Sequence, residues 1–472
     1  MASRYFIGID LGTSNCALSY IDSKAPEAGT QIFAIPQYES LDTVRELNTL
    51  PSFYYYLKES EHASLQSHAA PEWSSETVVG LLARARASEV PARTVTSAKS
   101  WLCHAGVDRE SKLLPWKSEQ IAAERKCSPV VASAAYLDYL RYAWDQTLGA
   151  QDKQSLFDRQ EIVITVPASF DTVAQQLTLD AAEYANYPKG TRLLEEPQAA
   201  FYAWLEQHHE ADEWTRALGV REAQSKVVLV CDIGGGTSDF SLFELSNIAG
   251  EPLPQVRRIA VSNHILLGGD NIDLALAHLA EAKLGQSDAL SSTAWSLLTA
   301  QCRELKERVL SSDGSAEEIF TLALTIAGGS LFDSARTVQL KRGEVTDVIL
   351  DGFYPRCEVD ATPIDEGGGL REIGLPYARD SAITRHLADF INGRTVDAVL
   401  FNGGSLSSPA IQARLAAQLT DWQDGREPSI LANEELDLAV ARGAAWYQAS
   451  LQHESIATIE GGSGHSFYFE VS

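Results

Sequence analysis

The chain has 472 residues, too many for one hydrophobic core, so at least two structural units are predicted. Its composition, 45% hydrophobic and 22% charged, is that of a globular protein and excludes wholesale disorder. The 64 acidic and 38 basic residues give a formal charge of −26, which argues against a nucleic-acid-binding or membrane-binding surface. A phosphate ligand therefore has to be held locally, by backbone N–H groups, a few cations and a metal ion.

Strands and helices alternate in the first half of the chain. In chain order, the sequence predicts a strand–turn–strand hairpin (5–21), a mixed stretch to about residue 127, a helix (128–148), a buried strand (161–167), a helix (169–185) and a short strand that turns into a helix (193–207). Pro197 stands in the first turn of the last helix, a position that accepts proline.

The second half begins with another hairpin. The sequence predicts this strand–turn–strand unit (226–245), a loop and helix (266–284), a charged amphipathic helix (299–312), a strand, glycine turn and helix (396–419), an apolar helix (435–452) and two short tail strands (456–472). Both halves open with similar hairpins and close with helices rich in small residues, which indicates an internal duplication. The alternation of strands and helices predicts the α/β class.

Two glycine turns, GIDLGTSN (8–15) and DIGGGTSD (232–239), have nearly the same sequence. Glycines in such a turn expose consecutive N–H groups and let a phosphate approach closely. Asp10 and Asp232 suit a hydrated Mg²⁺ better than a phosphate, because like charges repel. One turn alone would be an ordinary β-turn, but two matched copies predict a clamp that binds a polyphosphate from two sides. The sequence contains neither GxxxxGK[ST] nor GxGxxG, which disfavours other phosphate-binding folds.

Protein-only metal sites, leaders and membrane spans find little support in the sequence. The six cysteines form no CxxC pair and the ten histidines no HExxH motif, so a metal site made of protein ligands alone is not expected. The chain opens directly into a strand without a basic leader, and no apolar run approaches membrane-spanning length. These features favour a cytoplasmic protein without a membrane partner.

The ordered motif set is similar to that of a known family. GIDLGTSN, VITVPASFD, LLEEPQAA, DIGGGTSDFSLFEL, LGGDNID, FNGGS and AVARGAA occur in the order typical of the seventy-kilodalton heat-shock chaperone family. Over about residues 5–450, the chain resembles the nucleotide-binding domain of that family, within the actin and sugar-kinase superfamily. The resemblance implies a duplicated actin-like ATPase fold, with two lobes that each contain a mixed five-stranded, ribonuclease H-like sheet and a smaller subdomain.

The resemblance also implies domain boundaries. These are a lobe I core (1–50 and 128–222), a lobe I small subdomain (51–127), a lobe II core (223–262 and 343–452), a lobe II small subdomain (263–342) and a C-terminal tail (453–472). The chain stops near the point where the family's interdomain linker begins. It therefore looks like a short bacterial relative without a substrate-binding domain.

The resemblance implies a site for ATP or ADP with Mg²⁺. Lys99 is expected near the γ-phosphate and the attacking water, where a cation stabilises the charge of phosphoryl transfer. Glu196 matches a carboxylate that orients water or metal, and Thr237 the threonine that positions the water. Asp10 and Asp232 match the metal-shell carboxylates, which act through water. The implied nucleotide contacts are Gly12, Thr13, Ser14, Asn15, Gly234, Gly235, Gly236, Thr237, Gly268, Gly269, Glu304, Arg308, Ser311, Gly403, Gly404, Ser405 and Asp437.

Three features depart from the family pattern. Glu307 stands where the family has an adenosine-contacting lysine, and Ser407 where an arginine commonly stacks on adenine. Both changes remove a cation beside the nucleotide. Residues 357–393 do not match the family and are interpreted as an inserted or replaced stretch.

The leading interpretation is a cytoplasmic, ATP-binding and slowly ATP-hydrolysing chaperone-like protein. Its lobes close on Mg²⁺-ATP and switch the binding of protein partners or co-chaperones. A nucleotide-dependent scaffold, an actin-like filament subunit and a small-molecule kinase of the same superfamily are the alternatives. Lys99 together with Thr237 favours water as the phosphoryl acceptor over a substrate hydroxyl.

Overall fold

The computed structural model describes residues 3–62, 65, 76–104, 106–209, 213–263, 265–285, 290–325, 335–364, 375, 377–433 and 435–460. Its strands are β1 (Tyr5–Leu11), β2 (Asn15–Asp22), β3 (Gln31–Ile32), β4 (Ile35–Tyr38), β5 (Val44–Leu47), β6 (Thr49–Pro51), β7 (Tyr54–Tyr56), β8 (Thr77–Val79), β9 (Thr94–Val95), β10 (Glu161–Val166), β11 (Arg192–Glu195), β12 (Ser225–Ile233), β13 (Ser238–Ser246), β14 (Gln255–Val261), β15 (Ile319–Thr325), β16 (Ala335–Lys341), β17 (Ala398–Asn402), β18 (Ser429–Leu431) and β19 (Ile459–Glu460).

The helices cover the faces of the sheets and connect their strands. They are α1 (Glu59–His62), α2 (Leu81–Glu89), α3 (Ala98–Leu102), α4 (Pro129–Trp144), α5 (Thr172–Tyr184), α6 (Glu196–Gln207), α7 (Glu213–Leu218), α8 (Gly269–Leu284), α9 (Ser292–Leu310), α10 (Arg342–Gly352), α11 (Ile383–Ile391), α12 (Pro409–Trp422) and α13 (Leu436–Ser450). None of the described helices is long and apolar enough to cross a membrane.

Two mixed sheets repeat one arrangement. The first has the order β11-β10-β1-β2-β3, and the second the order β18-β17-β12-β13-β14-β19. In each, the first hairpin strand is antiparallel to the second and parallel to a later strand, β10 or β17. Five strands therefore match in order and direction, in agreement with the predicted α/β class and internal duplication. Each sheet has six described strands rather than the expected five, because β6 pairs with β2 and β19 with β14.

Helices α6 and α13 lie between the two sheets. Their buried side chains, Phe201 and Trp446 among them, share one apolar cluster with Phe6 from the first sheet and Phe243 from the second. This central layer holds the two sheets together, while α4 and α5 cover the other face of the first sheet.

Most predicted elements are confirmed, with shifts at their ends. The charged helix begins at Ser292 rather than residue 299, because Ser291 accepts a hydrogen bond from the Ala294 N–H and caps its first turn. The unmatched stretch 357–393 contains α11, while its residues 365–374 lie outside the described residues. Of the predicted tail strands, the structure describes only β19, and the segment 461–472 lies outside the described residues. The lobe and subdomain boundaries remain predictions.

The central layer requires glycine where α13 meets α6. A Cβ atom added to Gly443 would lie 1.7 Å from the carbonyl oxygen of Ala199, a backbone atom that cannot rotate away. We expect Gly443→Ala to lower the free energy of unfolding by about 3 kcal/mol or more, the upper range for overpacked cores. Denaturant unfolding followed by circular dichroism measures this. Gly352→Ala is the matched control, because a Cβ there meets nothing within 4 Å; equal stability of the two variants would contradict the packing described here.

Candidate functional site

The two glycine turns meet face to face. The first joins β1 to β2 and the second joins β12 to β13. A Cβ added to Gly235 would lie 2.3 Å from the Ser14 hydroxyl oxygen, and one on Gly236 would lie 3.0 Å from the Thr13 methyl carbon. The structure thus brings together the two turns that the sequence predicts to act as a clamp.

The second turn is fixed by two neighbouring loops. The backbone N–H groups of Gly269 and Asp270 donate to the carbonyl oxygens of Gly234, at 3.0 Å, and Gly235, at 2.7 Å. The Ser405 hydroxyl donates to the Gly234 oxygen over 2.9 Å. Of the predicted nucleotide contacts, the 234–237, 268–269 and 403–405 segments therefore form one continuous surface.

Carboxylates from both sheets lie beside the turns. Asp10, the next-to-last residue of β1, lies in register with Thr165, whose hydroxyl donates to Asp10 Oδ1 over 3.3 Å. Asp232 lies in register with Asp239 on one side and Asn402 on the other. Burial, reinforced by Glu196, raises the pKa of Asp10 to about 7 and raises that of Asp232 well above its ordinary value. Burial likewise raises the pKa of Asp239 to about 6. Burial therefore favours the protonated forms of these carboxyl groups, and a cation beside them would favour the ionised forms.

The donor set fits Mg²⁺ and phosphate. Asp232 Oδ2 and Asp239 Oδ1 are buried and have no hydrogen-bond partner among the described residues. Carboxylate oxygens are the ligands that Mg²⁺ prefers, directly or through water. Gly235 and Gly236 add no side chains of their own to the turn, a feature that favours close approach of a phosphate to its N–H groups.

Lys99 places a cation among these carboxylates. It lies on the short helix α3 with 5% of its surface exposed, and its ammonium forms an ion pair with Glu196 at the start of α6. Burial alone would lower the pKa of Lys99, but the charges of Glu196 and Asp10 outweigh that effect and raise it. Lys99 therefore stays protonated at neutral pH, beside the carboxylates that the sequence assigns to the same site.

The predicted adenosine contacts are on two different parts of the chain, helix α9 and the loop beside α13. Glu304 and Arg308 are exposed on α9, and Ser311 is the exposed residue that follows this helix. The Arg308 guanidinium lies 5.1 Å from the centre of the Phe320 ring. A Cβ on Gly404 would lie 3.3 Å from Asp437 Oδ1, so these two residues are neighbours. Their contacts with a nucleotide remain predictions.

Five polar residues at the site were not predicted. Asn402 lies in register with Asp232, and Lys306 donates to the Gly269 carbonyl oxygen over 2.9 Å. Asp270 is hydrogen-bonded to both Arg303, at 2.9 Å, and the Ser97 hydroxyl, at 2.8 Å. Asn402 could have been found from its place at the end of a strand before a glycine loop. The other residues reach the site only because particular helix faces pack together, and the local sequence around each residue does not show that packing.

Comparison with known proteins identifies the family. A family model described as Hsp70 protein matches residues 67–352, more than half of the chain. The chain belongs to the Hsp70 family. It is 30% identical over 317 residues to a chaperone protein HscA homolog of Pseudoalteromonas atlantica, covering 65% of this chain. It is 31% identical over 289 residues to the chaperone protein HscA of an Enterobacter species, covering 60%, and 29% identical over 330 residues to that of Salmonella arizonae, covering 69%. The chain spans 42%, 39% and 44% of the length of these relatives.

One of the two residues that differ from the Hsp70 pattern forms an ion pair. Glu307, at the position of the family's adenosine-contacting lysine, pairs with Arg84 of helix α2 at 3.6 Å. Ser407, at the other departure, is exposed and donates to the Gly404 carbonyl oxygen over 2.8 Å. The carboxylate at position 307 thus joins α9 to α2 instead of offering a cation to a nucleotide.

Glu307→Lys should tighten the binding of ADP about two- to five-fold, because it adds the missing cation at an exposed position. Isothermal titration calorimetry measures the dissociation constant. The double variant Arg84→Glu/Glu307→Lys restores an ion pair with the signs exchanged, so it separates the added cation from the lost pair. Glu317→Lys, at an exposed glutamate paired with Lys341, is the control and should leave ADP binding unchanged. Equal ADP binding by Glu307→Lys and the parent would contradict an adenosine-side position for residue 307.

Gly235→Ala should weaken ADP binding at least tenfold, because the new methyl group pushes the two turns apart. Adding Ser14→Ala removes the nearest clashing atom and should recover part of the loss. Gly190→Ala is the control, since a Cβ there meets nothing within 4 Å. Unchanged ADP binding by Gly235→Ala would show that the close approach of the turns is unimportant for the ligand.

Proposed function

We propose that this chain binds Mg²⁺-ATP between its two glycine turns, hydrolyses it slowly, and uses the cycle to switch the binding of protein partners. The observation that carries the proposal is the buried Lys99–Glu196 ion pair beside two facing turns and unpaired carboxylate oxygens. Membership of the Hsp70 family supports the same reading. The proposed fold is the duplicated actin-like ATPase fold with the predicted lobe and subdomain boundaries, supported by the repeated strand order.

Binding uses both sheets. The N–H groups of the 12–15 and 234–237 segments, with the hydroxyls of Thr13 and Ser14, bind the phosphates from opposite sides. Asp10 and Asp232 would hold Mg²⁺ through water, and the ion supplies positive charge against the phosphate oxygens. Adenosine lies between α9, with Glu304, Arg308 and Ser311, and the 403–405 loop.

Hydrolysis requires a water and a cation at the terminal phosphate. The Thr237 hydroxyl positions the attacking water, and Glu196 orients it. The Lys99 ammonium stabilises the negative charge that develops on the transferred phosphoryl group. Its raised pKa keeps this charge across the neutral range. A kinase would instead need an acceptor hydroxyl where these groups hold water.

Closure of the two halves on ATP follows from a ligand that is bound from both sides. Helices α2 and α9 approach each other through the Arg84–Glu307 pair, so nucleotide-dependent movement would change the surface around them. The curated relatives carry the name chaperone protein, and we propose a chaperone-like role with protein partners or co-chaperones for this chain too. We place it in the cytoplasm, as the sequence predicts.

Lys99→Ala and Thr237→Ala should each lower the rate of ATP hydrolysis by about 100-fold, since each removes a group that acts in the transition state. Single-turnover release of phosphate, with no acceptor added, measures the rate. Lys24→Ala, at an exposed lysine, is the matched control and should hydrolyse ATP like the parent. ADP binding should survive in all three variants, which separates lost chemistry from lost binding.

Three results would contradict the proposal in different ways. Parent-like hydrolysis by Lys99→Ala would overturn the assignment of Lys99. ADP binding by the parent without any phosphate release would indicate a nucleotide-dependent scaffold. Phosphate transfer only after a small hydroxyl compound is added would indicate a kinase.

A further inference from the structure

One hydrogen bond joins the segment that carries Lys99 to the loop that supports the second glycine turn. The Ser97 hydroxyl donates to Asp270 Oδ2 over 2.8 Å, across 173 positions of sequence. Ser97 immediately precedes α3, and Asp270 lies in the first turn of α8. The bond therefore connects the two halves of the chain beside the proposed phosphate site.

Asp270 is built into this place from several directions. It is 9% exposed, its Oδ1 accepts from Arg303 over 2.9 Å, and its N–H donates to the Gly235 carbonyl oxygen over 2.7 Å. Both carboxylate oxygens are thus used, one toward each half of the chain. Because the Asp270 N–H donates to the Gly235 carbonyl oxygen, a movement of Gly235 in the second turn would also move Asp270.

Ser97 holds an unfavourable backbone conformation. Its φ of 52° lies in the left-handed region, where residues other than glycine and asparagine are strained. The Ser100 N–H donates to the Ser97 carbonyl oxygen over 3.0 Å, so this conformation begins the only turn of helix that carries Lys99. The direction in which Lys99 points depends on the backbone at Ser97.

We propose that Asp270 is a positioning residue that holds Lys99 in place through its hydrogen bond to Ser97. The inference rests on the proposed ATPase function and adds a link between phosphate binding at the second turn and the position of Lys99. Phosphate held by the second turn fixes Gly235, Gly235 fixes Asp270, and Asp270 orders the start of α3. When the halves separate, the bond breaks, Ser97 relaxes and Lys99 leaves its place beside Glu196. ATP hydrolysis then occurs only in the closed arrangement.

The decisive variant is Ser97→Gly, which removes the hydroxyl but accepts the left-handed backbone without strain. We expect the rate of ATP hydrolysis to fall about ten- to thirty-fold, the effect of losing a hydrogen bond to a charged group, while ADP binding and KM change less than two-fold. Ser97→Asn tolerates the same backbone and offers an amide donor to Asp270, so it should recover most of the rate. Asp270→Ala should lower the rate at least as much as Ser97→Gly, and adding Ser97→Gly to it should cost little more.

Asn392→Gly is the matched control, because Asn392 also has a left-handed backbone, with φ 47°, but caps α11. It should hydrolyse ATP like the parent. If the parent protein hydrolyses ATP and Ser97→Gly hydrolyses it at the same rate, the positioning role is overturned and the proposed function stays intact. A fall in ADP affinity and melting temperature that matches the loss of rate would also overturn it, as a purely structural effect. A parent that binds ADP but releases no phosphate would overturn both.

Discussion

The structure depends on how it neutralises negative charge where the two glycine turns meet. Asp10, Asp232, Asp239 and Glu196 converge there, and burial raises the pKa of each. Among the described residues, only Lys99 forms an ion pair with one of these four carboxylates, and its partner is Glu196. One carboxylate oxygen each of Asp232 and Asp239 has no hydrogen-bond partner among the described residues, which suits these oxygens to bind a cation. In the proposed function, a metal ion that enters with a polyphosphate would supply this cation.

The repeated sheet explains why this charge lies between two halves. Each sheet ends its hairpin in a glycine turn, and the matched strand order points both turns toward one another. The close approach needs a thin central layer. Gly8 and Gly443 provide it, because a Cβ on Gly8 would lie 2.3 Å from the Ala441 carbonyl oxygen and one on Gly443 would strike α6. Small residues in the central layer thus let the helices pack closely between the two sheets.

The hairpins, the α/β class and the carboxylates at the strand ends could be predicted from the sequence, because turn chemistry and apolar periodicity are local signals. The motif order added the family, Lys99 and Glu196. Ser97 and Asp270 could not be paired from sequence, since they meet only after helices 173 positions apart pack together. The start of α9 was missed for another reason. Its first turns carry few charges, and only Ser291 as a cap marks the boundary.

Two contacts between the halves of the chain are linked through helices α8 and α9. Ser97–Asp270 lies near the phosphate turn and Arg84–Glu307 lies farther along α9. Arg303, one helical turn before Glu307 on α9, forms ion pairs with both Asp270 and Asp273 and so joins α9 to α8. In the proposed cycle, both contacts would form and break with the same movement. In the proposed function, glutamate in place of the family's lysine at position 307 would take a cation away from the nucleotide and add an ion pair between α2 and α9.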